Sequence, residues 1–352
     1  MSPPGAARFG LFDHVEDIPG TPTSRLFRDR LELIRTADEA GFYGYHLAEH
    51  HGGDLCMVPS QEILIAAASQ VTRNIRLGPM VKQLPMHHPI RVIEDICALD
   101  QLTEGRLEVG VGRGAVPIEH YWFGHDWLQS RDRFTDSLGI IQRGLQGDEI
   151  SSAGSRFFDF PPVPLVTKPL QDRIPFWYPG SPVTAGTHGM SLMWPGRIDA
   201  AAYELYIATW HQHRGTGIRL DGPDDRPRVG YSMLLAIART EREALAIARR
   251  GIDGLTRRTA ANHRFDHLKL GPEECHAAQA PLRAIRANVD QAVQFGAGTP
   301  AQIAERLAML LDDGMCDYLA FMTPTGDITI DEARQTLELF VTEVQPQLAA
   351  AD

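Results

Sequence analysis

Two hydrophobic rhythms alternate along this chain. Short apolar runs read as strands: RFGLF (8–12), FYGYHLA (42–48), IRLGPMV (75–81), RLEVGVG (106–112), IPFWYPGS (174–181), GMSLMW (189–194), RVGYSMLLAIA (228–238) and DYLAFM (317–322). Between them, apolar positions recur every three or four residues, the period of an amphipathic helix. Such helices are predicted over 24–41, 60–72, 88–103, about 131–146, about 199–214, 241–258, 299–314 and 331–348. Boundary residues support several of them. Gly41 suits the position just past a helix end. Ser60 stands where a cap belongs, and Thr299 precedes Pro300 in the same way.

Three stretches break the rhythm. Residues 113–130 read as a long loop holding Tyr121, Trp122, Phe123 and Trp127. Residues 155–171 are rich in proline and read as an inserted extended segment. Residues 259–298 carry His263, His267, Gly271, Pro272 and Pro281 without a clear period, and read as an insertion, partly helical and partly mobile. Eight strands alternating with helices predict an α/β fold, a (β/α)8 TIM barrel with insertions, formed by one domain over 1–352. An open doubly wound sheet is the competing architecture.

The 352 residues are ample for such a barrel and its core. A net charge of -11 gives no electrostatic basis for binding nucleic acid. The four cysteines are scattered and fit reduced thiols in the cytoplasm. The N-terminus has no signal-peptide pattern, and no run of about 18 apolar residues predicts a membrane span.

In a parallel barrel the chemistry gathers at the carboxyl ends of the strands. That rule selects Asp13 and His14, then Glu49-His50-His51, GPMVKQLP, GVGRGA, PGSPVT and Trp194. GVGRGA (110–115) is not the dinucleotide pattern G-x-G-x-x-G. Its small residues let backbone approach a ligand closely, and Arg113 between glycines points to an anion. Ser181 and Thr184 open a predicted helix, where free N–H groups suit a phosphate. Ser181 as a simple cap is the plainer alternative. Adjacent histidines on extended chain face opposite ways, so His50 and His51 do not share a metal ion. No His/Cys set completes a metal site, and none is predicted. One histidine suits a general base and the other a structural role.

With AEHHGGD, RLGPMVKQLPMHHPIRVIEDICALDQLTEGRLEVGVGRG and FGHDW on the page, the chain resembles the bacterial luciferase-like flavin monooxygenases. The likeness recurs at PGSPVT, GAGTPAQIAERLAMLLDDG and CDYLAFM. The resemblance implies reduced FMN (FMNH2) as cofactor and O2 as co-substrate, acting through a flavin C4a-(hydro)peroxide on a small to medium organic substrate. It further implies His50 as the catalytic residue, Glu49 beside the flavin, and Arg113, Ser181 and Thr184 on its phosphate. Met80-Val81 would form a non-proline cis peptide under the ring, and Trp194 would line the ring pocket. Tyr121, Trp122, Phe123 and Trp127 would border the substrate. The expected partners are a separate NAD(P)H:flavin reductase and a second copy of the chain. Two departures stand out: Gly112 replaces a reactive cysteine of luciferase, and Gly180 replaces an acidic residue. The rival readings are a deazaflavin-dependent hydride transfer on the same fold, a non-catalytic luciferase-like subunit, and a metal hydrolase.

Overall fold

The computed structural model describes residues 7–263, 268 and 270–349. The strands of its main sheet are β1 (Arg8–Asp13), β2 (Gly44–Leu47), β3 (Arg76–Pro79), β4 (Lys82–Gln83), β5 (Val109–Gly112), β6 (Phe176–Tyr178), β7 (Ser191–Pro195), β8 (Val229–Leu234) and β9 (Tyr318–Met322). Every pairing among them is parallel. β1 pairs with β2 on one side and β9 on the other. The remaining neighbours run β2–β3, β4–β5–β6–β7–β8–β9, and a bridge from Leu77 to Leu107 ties β3 to the approach of β5. β3 and β4 are one stave broken by Met80-Val81, so the described residues form eight staves and the sheet closes. Closure excludes the open doubly wound alternative.

Alternation along each stave separates two cores. Leu11, Leu47, Leu77, Val109, Phe176, Leu192, Val229 and Phe321 face outward into the layer beneath the helices. Met80, Trp177, Met193, Tyr318 and Ala320 pack inside the barrel. The helices supply the other half of the outer layer. In α1 (Thr23–Glu39), Leu26, Leu33, Ile34 and Ala37 lie on one buried stripe. Burying each such leucine or isoleucine contributes roughly 1.5–3 kcal/mol. α11 (Pro300–Leu311) buries Ile303, Leu307 and Leu310, and Thr299 with Gln302 closes a reciprocal capping box.

Three sequence expectations change, and the helical part of a fourth stretch, 259–298, gains its bounds. Residues 113–130 are not all loop: α4 (Pro117–Trp122) forms there, with Pro117 at its first turn. Ser60 precedes α2 (Gln61–Ser69), but its side chain accepts no capping hydrogen bond. The third strand stops at Pro79 rather than running to 81. In the 259–298 stretch, α8 (Glu241–Asn262) runs on to Asn262, and helices cover Pro272–Ala278 and Ala280–Gly296. His267 lies outside the described residues.

Candidate active site

The carboxyl ends of the staves bring together residues distant in sequence. His14 follows β1, Glu49-His50-His51 follow β2, and Lys82 and Gln83 are β4 itself. α4 adds Glu119, and the end of α8 adds Asn262. Two buried carboxylates organise this group.

Glu49 has a side chain 0% exposed. Its Oε1 accepts from His87 Nε2 at 2.5 Å and His51 Nε2 at 3.1 Å. Oε2 accepts from the Gln83 backbone at 2.7 Å, and Lys82 Nζ stands 3.9 Å from Oε1. Burial alone would raise its pKa, but the His51 and His87 hydrogen bonds and the Lys82 charge hold it well below the usual range. Both oxygens are engaged by protein groups. Glu49 therefore acts on the site as a clamp that fixes His51, His87 and β4.

Glu119 does the same for His50. Its Oε1 accepts from His50 Nδ1 at 3.1 Å, the His51 backbone at 3.0 Å and Asn262 Nδ2 at 3.0 Å. Gln83 Nε2 donates to Oε2 at 3.2 Å. Burial again opposes ionisation, yet His50 and the other donors lower the pKa. An ionised carboxylate can only accept, so the His50 proton belongs on Nδ1. Neutral His50 then presents a bare Nε2. With a side chain 22% exposed, this is the imidazole placed to take a proton from a ligand. His14 stacks on it, with ring centroids 5.8 Å apart and planes 13° apart. Burial first, and His50 second, lower the His14 pKa to about 3, so His14 stays neutral. The paired histidines diverge as alternation requires, His50 to Glu119 and His51 to Glu49 and the Phe123 ring.

A second corner collects positive charge. Arg113 follows β5, donates to Ser130 Oγ at 3.2 Å and lies over the Trp127 ring at 5.2 Å. Among the described residues no carboxylate pairs with it. Burial and then Arg131 lower its pKa, while the Tyr178 hydroxyl works the other way. A half-buried guanidinium with a second arginine near it and no counter-ion is a site for an anion. Gly114 beside it has φ +81, which glycine adopts freely. Tyr178 and Gly180 lead to Ser181, which caps α6 (Pro182–His188) by accepting from the Thr184 N–H at 3.4 Å. Thr184 lies in the first turn of that helix. The residues present thus fit a phosphate group.

The remaining predicted residues fall as follows. The Met80–Val81 peptide is cis. An ideal Cβ at Gly112 would overlap the Val81 side chain, so Val81 fills the space that a side chain at this position would need. Trp194 shares the outward face of Leu192 and packs on the outer core, whereas Met193 points inward. Alternation thus puts Trp194 on the helix side of β7, away from the ring-pocket wall expected of it. The loop aromatics also part company: Tyr121, Trp122 and Phe123 are exposed, and Trp127 is buried beneath Arg113. Glu119, Gln83, His87 and Asn262 were not singled out in sequence. Glu119 lies in a six-residue helix too short to show a period, and Asn262 ends the pattern of its helix. Among the described residues no group of three or more His, Cys, Asp or Glu is placed to hold a metal ion.

A family model described as luciferase-like monooxygenase matches residues 7–315. The chain belongs to this family. The luciferase-like chain is 29% identical to the protein y4wF of Sinorhizobium fredii, over 98% of each chain. It is 29% identical to the oxygenase component of a flavin-dependent trigonelline monooxygenase of Acinetobacter baylyi, over 48% of each chain. The FMN-bound oxygenating constituent of 3,6-diketocamphane monooxygenase from Pseudomonas putida, a type II Baeyer–Villiger enzyme, shares the fold. Its TM-score is 0.74 at 22% identity, covering 97% of this chain and 98% of that one. The protein is thus an enzyme with a luciferase-like barrel.

Proposed function

We propose that this chain is the oxygenase component of a two-component flavin monooxygenase. Reduced FMN would come from a separate NAD(P)H:flavin reductase, O2 is the co-substrate, and an organic molecule receives one oxygen atom. The observation that carries the reading is the pairing of a carboxylate-held imidazole, His50, with an unpaired guanidinium, Arg113, at one end of the barrel. The relative named as an oxygenase component supports the separate reductase.

Arg113, Ser181 and Thr184 hold the FMN phosphate in this reading, and Met80-Val81 supports the ring. When bound, the reduced flavin supplies activation of dioxygen at its C4a position. The protein supplies the rest. Glu119 keeps the proton on His50 Nδ1, so that Nε2 takes or returns a proton at the reacting group. Glu49 acts beside the flavin through His51, His87 and the β4 backbone, which it holds in place. A deazaflavin enzyme of the same fold would use a similar phosphate corner but no O2. The experiment is a substrate screen under 18O2 with FMN, a generic flavin reductase and NADH, read by mass spectrometry. A product carrying one labelled atom is expected. A product labelled only from water, or hydride transfer that proceeds anaerobically, refutes the proposal.

A further inference from the structure

One side-chain amide holds His50 at two points. Gln83, in β4, is buried. Its Nε2 donates to the Glu49 carbonyl oxygen at 2.7 Å and to Glu119 Oε2 at 3.2 Å. That carbonyl belongs to the Glu49–His50 peptide. The carboxylate is the one whose other oxygen accepts from His50 Nδ1 at 3.1 Å. An amide nitrogen has two hydrogens, and both are used here. The backbone N–H of Gln83 makes a third bond, to Glu49 Oε2 at 2.7 Å.

The amide has one workable orientation. A carbonyl and an ionised carboxylate only accept, so turning the amide over would set its oxygen against both. Oε1 instead lies against Gly114, where an ideal Cβ would come within 2.3 Å of it. There it is buried and has no hydrogen-bond partner among the described residues. An unbonded buried acceptor is unfavourable. The fold accepts that cost and keeps two donor bonds, both leading to His50. Burial raises the Glu119 pKa, and His50, the His51 backbone and Gln83 lower it. Gln83 therefore also favours the ionised carboxylate that keeps the His50 proton on Nδ1.

Gln83 stands two positions after Val81, in the stave that carries the Met80-Val81 peptide. Moving a reacting group by about 1 Å can cost about 10²-fold in rate. We propose that Gln83 is a positioning residue for His50, its amide tying the peptide and the imidazole partner of His50 to the β3–β4 stave. What His50 does when so placed rests on the oxygenase reading; the tie itself is read without any ligand.

The test uses the full chain labelled with 15N-histidine, with His50→Gln to assign the resonances. In the ligand-free parent, Nδ1 of His50 should be protonated and Nε2 bare. Gln83→Met keeps the length of the side chain and removes both donors. It should move the two nitrogen resonances towards each other, the mark of mixed tautomers. Glu119 should also take up its proton at higher pH in Gln83→Met, read from the infrared carboxyl band that Glu119→Gln lacks. In the parent itself, both hydrogens of the Gln83 amide should exchange slowly with solvent, a measurement that needs no folded variant. An unchanged tautomer or an unmoved carboxyl band in Gln83→Met, or fast exchange of the amide in the parent, overturns the assignment. Reduced-FMN binding is titrated on the parent sample. Absence of that binding refutes the oxygenase reading, whereas intact binding with an unchanged tautomer in Gln83→Met refutes only the role of Gln83.

Discussion

The two ends of the barrel each contain a buried carboxylate surrounded by donors, and they are finished differently. At the amino end, Glu108 accepts from Tyr43 at 2.5 Å and from Trp177 Nε1 at 2.6 Å, and pairs with Arg76 at 2.9 Å. Arg228 stands at 3.9 Å and His46 at 3.6 Å, and His46 is itself held by Tyr318. The Glu108 pKa falls despite burial, through His46 and the two arginines. The arginines keep their charge at any accessible pH, so this network is locked. At the carboxyl end, Glu119 is surrounded by an imidazole and amides, and Glu49 by two imidazoles and a backbone amide, with Lys82 farther off at 3.9 Å. Imidazoles titrate near neutrality as a class and keep a second nitrogen for a ligand. In the proposed reading, one kind of buried ion cluster serves as a plug at one end and as a proton-handling site at the other. The partner residue decides which.

The difference can be broken at either end. The largest stability effect is expected from Glu108→Ala, which strands Arg76 and Arg228. It should lower unfolding free energy by about 3–5 kcal/mol, read by urea denaturation. Glu119→Gln should cost less stability, because its neighbours are a neutral imidazole and amides, so no buried cation is stranded. It should lower turnover by releasing the His50 tautomer. Equal stability losses in these two variants would erase the distinction between plug and site. His50→Ala should reduce turnover by about 10²–10⁴-fold and leave FMN affinity nearly intact. Arg113→Ala should weaken FMN binding by about 1.5–3 kcal/mol.

The smallest effect concerns pH. Folded His14 resists protonation down to about 3, whereas its ordinary value is 6.5. Between those values the unfolded chain binds more protons, so this histidine makes stability fall as pH drops through that window. His14→Phe should flatten that part of the stability–pH curve.

Much of this was legible in sequence because strand and helix periods are local. The eight apolar runs located the staves, and the rule of carboxyl ends located His50 and Arg113. Gly112 and Gly114 marked the turn on which Arg113 sits. Glu119 was not legible. It lies among aromatics in a six-residue helix, and its value depends on donors from β2, β4 and α8. Asn262 is 143 positions away from the carboxylate it binds. Trp194 was misplaced for a related reason, since its side depends on which parity of β7 faces inward, and Met193 takes that parity. Sequence spacing locates residues along a stave, while barrel closure decides what they meet.

The most direct measurement is an anaerobic titration of reduced FMN, and in parallel of a reduced deazaflavin, into the parent, Arg113→Ala and His50→Ala proteins. Reduced FMN should bind the parent and His50→Ala alike and bind Arg113→Ala more weakly. Binding of the deazaflavin with none of FMN, or equal FMN affinity in all three proteins, would contradict the assignment of this site.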